Sequence, residues 1–266
     1  GMSLSAAGGV MQMLFRNPLV EPGFLGVTQG AGFGAALCII FLGSSLWLIE
    51  VSATFFAIFA LLFSWFIARR IRFGGWVLRL ILAGIAVSAF FSAGLGILKY
   101  LADPLSQLPE ITFWLLGGLY SITWHDFYYV MPVVVIGITI ILLMRWRLNL
   151  LALEDQTASS LGVSVKRERT LLLAVSVAIT AVVVSVAGIV GWIGLIIPHI
   201  ARRLVGANAA KFIPVSISIG GTFAVLCDDF ARTVSAGEIP LGIITSLLGA
   251  LIFLILMVSP GMRLNR

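Results

Sequence analysis

Charged residues are scarce in this 266-residue chain, at 11% against about a quarter in ordinary soluble domains. With 60% of residues hydrophobic and a mean hydropathy of +1.12, a water-soluble fold is excluded. Cysteine is limited to Cys38 and Cys227, both inside apolar runs, so each reads as a small hydrophobe rather than a disulfide partner or metal ligand. Histidine is limited to His125 and His199, each without a companion ligand at metal spacing, which favours structural roles. No G-x-x-x-x-G-K-[ST] phosphate loop occurs, so this chain does not bind ATP in the usual way. Paired acids, a His cluster or a serine-lysine arrangement within an apolar run are also missing, which leaves membrane-embedded enzyme chemistry without a candidate.

What is present is apolar length. Runs separated by charge or by Gly and Pro fall at about 1–15, 24–42, 51–68, 78–98, 130–146, 170–190, 191–205, 212–231 and 241–258. All nine read as transmembrane helices of a single all-α, polytopic domain over 1–266, the short, Pro198-containing run at 191–205 included. The first run is too short for a comfortable span and carries no charged n-region, so an upstream helix is expected to precede it.

The net charge of +6 suits nucleic acid only if a basic patch and stacking aromatics share a face. Its distribution points to topology instead. Alternating sides places Arg16, Arg69, Arg70, Arg72, Arg79, Arg145, Arg147, Lys166, Arg167, Arg169, Arg202, Arg203, Lys211, Arg263 and Arg266 on one face. Lys99 and Arg232 share the other with Glu50, Asp103, Glu110, Asp126, Asp228, Asp229 and Glu238. Because short cytoplasmic loops retain Lys and Arg, the basic face and the C-terminus are assigned to the cytoplasm.

Small residues recur four apart at Gly26, Gly30 and Gly34; at Gly84, Ser88, Ser92 and Gly96; and at Gly242, Ser246 and Ala250. Such stripes let helix backbones approach closely, and they serve either tight bundle packing or a smooth wall for a bulky solute. The 51–68 run, with Phe55, Phe56, Phe59, Phe63, Trp65 and Phe66, is expected to face lipid. Gln12, Asn17 and Gln29 lie in or near spans, where an amide marks a pathway or pairs with a neighbouring helix.

The longest polar insertion is LNLLALEDQTASSLGVSVKRER, Leu148 to Arg169. Leu150, Leu151, Ala158 and Leu161 fall on one side of a short helix, Gly162 suits a left-handed stop, and Ser164 suits a cap for the next turn. This describes either a docking element or a helix on the membrane surface, the latter favoured by Lys166, Arg167 and Arg169 near anionic lipid.

LEDQTASSLGV, Leu153 to Val163, resembles the loop by which permeases of the iron-siderophore, haem and vitamin B12 importer family contact their ATPase. Three further stretches agree in order and spacing: LFRNPLVEPGFLGVTQGAGFGAAL from Leu14, GIVGWIGLIIPHIARRLVG from Gly188 and DDFARTVSAGEIPLGIITSLLGA from Asp228. The chain departs from that pattern at Leu251, where proline is usual, and at Glu154, which lacks the customary preceding glycine.

The resemblance implies a type II ABC importer permease fold, with this chain supplying the second to the tenth of ten helices. It implies a second copy of the permease, two ATP-binding-cassette ATPases docked through Leu153, Glu154, Asp155, Ala158, Leu161 and Gly162, and a periplasmic or lipid-anchored binding protein. The cargo would be a metal chelate or oxyanion entering across a bacterial or archaeal plasma membrane. ATP and magnesium would be used by the partner, and no cofactor or nucleic acid is expected on this chain. Arg232 matches the arginine that pairs with the binding protein, although a local bridge to Asp228 or Asp229 is equally open, and Glu238 is placed either there or as a cap for the helix entering at Pro240. The rival reading, an ion-gradient-driven secondary transporter, predicts midplane charges on broken helices and an inverted repeat, and neither is clear.

Overall fold

The computed structural model describes residues 1–234 and 237–258, so Arg263 and Arg266 lie outside the described residues. Nine longer helices follow the nine apolar runs: α1 (Met2–Phe15), α2 (Val27–Phe41), α3 (Leu46–Arg70), α4 (Trp76–Leu101), α6 (Trp124–Leu151), α8 (Val165–Ala187), α9 (Ile193–Val205), α10 (Ala209–Thr233) and α11 (Leu241–Val258). Two short ones, α5 (Gln107–Leu116) and α7 (Asp155–Ser160), complete the set, and a 3-10 turn occupies Pro22–Leu25. Among the described residues, six helices are long and apolar enough to cross a membrane: α3, α4, α6, α8, α10 and α11. The 13 residues of α9 rise only about 20 Å, so this segment reaches across a core of roughly 30 Å only together with the irregular stretch at 188–192.

Local chemistry explains where these helices start. Thr123 and Asp126 form a reciprocal capping box at α6, which begins six residues earlier than its apolar run predicts. Asn208 caps α10 by accepting from the Ala210 amide, and its side chain also accepts from Asn149, whose own carbonyl takes the Ala209 amide. The end of α6 is thereby stitched to the start of α10. The helix α5 was not foreseen because Pro109 and Glu110 interrupt a run of only ten residues.

The expected helix over 24–42 is divided. Gly26 adopts φ +85°, which ends the 3-10 turn and starts α2 separately. The turn dips back between helices: Ser64 of α3 donates to the Leu25 carbonyl at 2.9 Å, and Gly84, about 12 Å along α4, packs against the Leu25 backbone. Backbone of this kind at membrane depth persists only where protein buries it or a cavity borders it.

The small-residue stripe on α2 is a packing surface. A Cβ at Gly30 would lie 2.5 Å from the Phe56 carbonyl oxygen, and one at Gly34 would lie 2.6 Å from that of Ser52. Gly84 and Ser88 meet the 3-10 turn and Gly26 in the same way. Gly30→Val therefore has to separate α2 from α3, and a loss of about 2 kcal/mol, read as a lower unfolding temperature in detergent, is expected. Behind this crossing Phe33, Phe56 and Phe91 pack edge to face, while Phe55, Phe59 and Phe66 are exposed. The aromatic run on α3 thus divides between core and lipid instead of facing lipid throughout.

Candidate functional site

The polar insertion folds as α7 between the ends of α6 and α8. Ala158 is fully buried, whereas Leu161 is 56% exposed and Leu153 and Glu154 face outward. Leu150 and Leu151 belong to the last turn of α6 rather than to this short helix, which corrects the expected common face. Gly162 takes φ +81°, the left-handed stop its position calls for. Ser164 precedes α8, but its side chain makes no capping bond.

Asp155 fixes this element to the bundle. Its carboxylate accepts from both terminal nitrogens of Arg169, at 2.9 and 3.3 Å, and lies 3.6 Å from Arg16, which also donates to the Leu153 carbonyl. Hydrogen bonding from Arg169, ahead of the charges of Arg169 and Arg16, holds the Asp155 carboxyl below the ordinary carboxylate range. Arg169 stacks over the Trp76 ring and Trp76 packs on Phe15, so α7, α8, α4 and α1 meet at one node. Arg147 pairs with Glu168 beside it.

From this node α1 leads to a second polar lock. Gln12 is buried, donates to the Gly194 and Leu195 carbonyls at 3.3 and 3.0 Å, and accepts from Arg202. Sequence reasoning left Gln12 open between pathway and pairing; it pairs with α9. Gln12→Leu strands the Arg202 guanidinium and the Gly194 carbonyl, which Pro198 cannot serve with an N–H, and a loss of about 2 kcal/mol in thermal unfolding is expected. Asn17 builds a turn by accepting from the Leu19 amide, and Gln29 is half-buried on α2. His199 bonds the Leu195 carbonyl and packs beside Phe253.

The lock adjoins a cavity of about 650 Å³ between the 17–25 segment, the 188–192 stretch and α11, bordered by Glu21, Phe24, Trp192, Gly242 and Ser246 among others. Trp192 enters α9 at φ +71°, a left-handed conformation that a tryptophan holds only at a cost. At the far end Gly242 fits against the Leu116 and Ile189 carbonyls, where a Cβ would approach to 2.2 and 2.7 Å.

On the face opposite α7, Arg232 bridges Asp228 at 2.8 Å and Glu238 at 3.6 Å and donates to the Leu119 carbonyl. The local pairing is therefore present, and it includes Glu238. Among the described residues, no group of three or more His, Cys, Asp or Glu is placed to hold a metal ion.

Residues 1–259 match the FecCD transport family. The chain belongs to that family. As a FecCD protein it is an all-α, multi-pass membrane permease. It is 39% identical over 257 residues to the molybdate import system permease protein MolB of Haemophilus influenzae, covering 95% of this chain and 74% of that protein. A protein described as a probable iron chelatin transport system permease of Helicobacter pylori is 42% identical over 255 residues, covering 96% and 76%. A solved metal-chelate type ABC transporter in an inward-facing conformation superposes with a TM-score of 0.90 at 38% identity, over 97% of this chain and 83% of that one.

Several residues of the Asp155 node and of the cavity were not singled out from sequence as functional. Arg16 read as a topology charge and Arg169 as a topology charge or a contact for anionic lipid, while Trp76 and Trp192 drew no reading of their own. Glu21 was legible as an isolated acid in an apolar stretch, and that signal was available.

Proposed function

We propose that this chain is the membrane permease of an ATP-driven importer of a metal chelate or related oxyanion. It works as a pair of identical copies, with ATPase subunits engaging the 153–163 element and a binding protein delivering cargo to the face that carries Arg232 and Glu238. The α7 end and the C-terminus lie in the cytoplasm of a bacterial or archaeal cell, in keeping with the positive-inside distribution of Lys and Arg. The observation that carries this reading is the Asp155 node: an exposed hook with little core of its own, clamped by charge to helices that lead to the cavity. A hook of that kind transmits force supplied from outside, and the sequence holds no phosphate loop to generate it.

The arrangement suggests the transmission route. Displacement of α7 acts through Asp155 on Arg16, at the left-handed end of α1, and through Arg169 on α4. Helix α1 carries it through Gln12 to the start of α9, beside the cavity. Partner affinity that differs between two arrangements of these contacts shifts their populations. The relatives' names support the cargo class, since they include molybdate and iron chelatin permeases.

The test is reconstitution of the permease in liposomes with candidate ATPase and binding-protein partners. Cargo uptake that needs ATP is expected. Uptake by the permease alone under a proton or sodium gradient would overturn the assignment in favour of a secondary transporter. Arg232→Glu is expected to weaken binding-protein docking about tenfold at low salt, with less effect at high salt, as measured by binding to the reconstituted permease.

A further inference from the structure

On the end that bears α7, a groove of about 1340 Å³ runs between α3, α4 and the start of α8. Its mouth gathers Arg69, Arg79, Lys166, Arg167 and Arg169 against the single acid Asp155. Arg169 has a side chain only 7% exposed and gives its two terminal nitrogens to Asp155, yet its Nε is buried without a partner. The Nε of Arg79, also bordering the groove, is likewise buried and unpartnered. Buried guanidinium donors ordinarily find acceptors, so two orphans in one basic recess mark it as short of anionic oxygen acceptors.

The wall above the mouth is apolar. It consists of Trp65 and Ala68 on α3 and of Leu171 and Ala174 on α8. At 1.5 Å per residue Ala174 stands about 14 Å above Val165, and Trp65 about 8 Å inside the end of α3, so the groove climbs into the span. Leu171 is exposed on α8, and the Arg69 guanidinium lies 3.7 Å over the Trp65 ring, both residues bordering the groove.

We infer that this groove holds an anionic phospholipid, its headgroup phosphate on the Arg69, Lys166 and Arg167 mouth and an acyl chain along Trp65, Ala68, Leu171 and Ala174. Basic pockets between helices on the cytoplasmic side suit such headgroups, and each basic residue near the surface adds to the attraction. A soluble anion accounts for the mouth but leaves the apolar wall unused. An acidic segment of a cytoplasmic protein meets the mouth but does not follow the wall into the bilayer. The lipid phosphate would lie beside the Asp155–Arg169 clamp, so its presence would stiffen the seat of α7.

The test uses the full permease in nanodiscs of phosphatidylcholine with phosphatidylglycerol, extraction into mild detergent, and mass-spectrometric measurement of the phosphatidylglycerol that stays bound. Wild type is expected to retain it selectively over phosphatidylcholine. Arg69→Glu is expected to lower retention roughly tenfold, because one attractive charge becomes a repulsive one. Ala174→Phe, which blocks the apolar wall and leaves every charge in place, is expected to lower it as well, with the affinity for the ATPase partner unaltered. Retention unchanged in both variants overturns the inference. So does displacement of the lipid by inorganic phosphate at comparable concentration, which would make the site one for a free anion. Loss of ATPase binding in Arg69→Glu with lipid retention intact also overturns it, by assigning the basic mouth to a protein partner.

Discussion

Asp155→Lys is expected to abolish cargo uptake while leaving membrane insertion and assembly of the bundle intact. The carboxylate is the common partner of Arg169 and Arg16, and its replacement sets a third cation between two others. The direct energetic loss is modest. Asp155 is 60% exposed and solvent screens its contacts, so about 1–2 kcal/mol is expected rather than the larger penalty of breaking a fully buried pair. The functional loss is larger because it is geometric: α7 has six residues, buries Ala158 alone, and has little else to hold its orientation. Proteoliposome uptake should fall at least about tenfold, and ATP hydrolysis by the bound partner should no longer respond to cargo, as for a contact made only in the productive arrangement. Uptake at the wild-type rate would remove the node from the route of force.

The same carboxylate sets a pH dependence whose sign is fixed. Its folded-state pKa is depressed by Arg169, so its contribution is fully present above the unfolded value near 3.8 and is lost as pH falls through the still lower folded value. Seating of α7 is therefore constant across the neutral range. An acid loss of coupling near pH 6 would have to arise from another group.

How much of this was legible in the sequence depends on the range over which each feature is determined. Spans are written locally, since a run of about 20 apolar residues has few alternatives in a bilayer: each of the nine apolar runs contains a helix, and six of these are long and apolar enough to cross. The polar insertion that holds α7 was legible for the same reason: a polar stretch ending in Gly162 between greasy runs has to turn outside the membrane. The 3-10 turn was hidden because Phe24 and Leu25 extend the apolar run of α2 without a break, and only the φ of Gly26 separates them. Gln12 and Arg202 lie 190 positions apart, and nothing in either neighbourhood names the other. Trp192 is harder still. A left-handed tryptophan contradicts its own local preference, and tertiary contacts with Gly249 and Phe253 on α11 hold it there.

Ser246→Trp is expected to stop uptake with ATPase docking intact, which separates the cavity from the coupling node. Ser246 faces Gly191 across the cavity, the distance from a Cβ built on Gly191 to its hydroxyl being 4.0 Å, and it belongs to the small-residue stripe of α11. An indole there would meet Trp192 and the 17–25 segment, filling the space through which those two irregular stretches face α11. The side chain is only half-buried, so the bundle can accept the substitution, and a shift of about 1 kcal/mol or less in unfolding is expected. Cargo-stimulated ATP hydrolysis should persist while cargo accumulation falls at least about tenfold, because the engine still docks on α7 but the path is plugged. Ser246→Ala, which changes polarity without volume, is expected to transport normally. If both substitutions transport normally, the cavity is a packing defect and the route for cargo runs along a different face of α11.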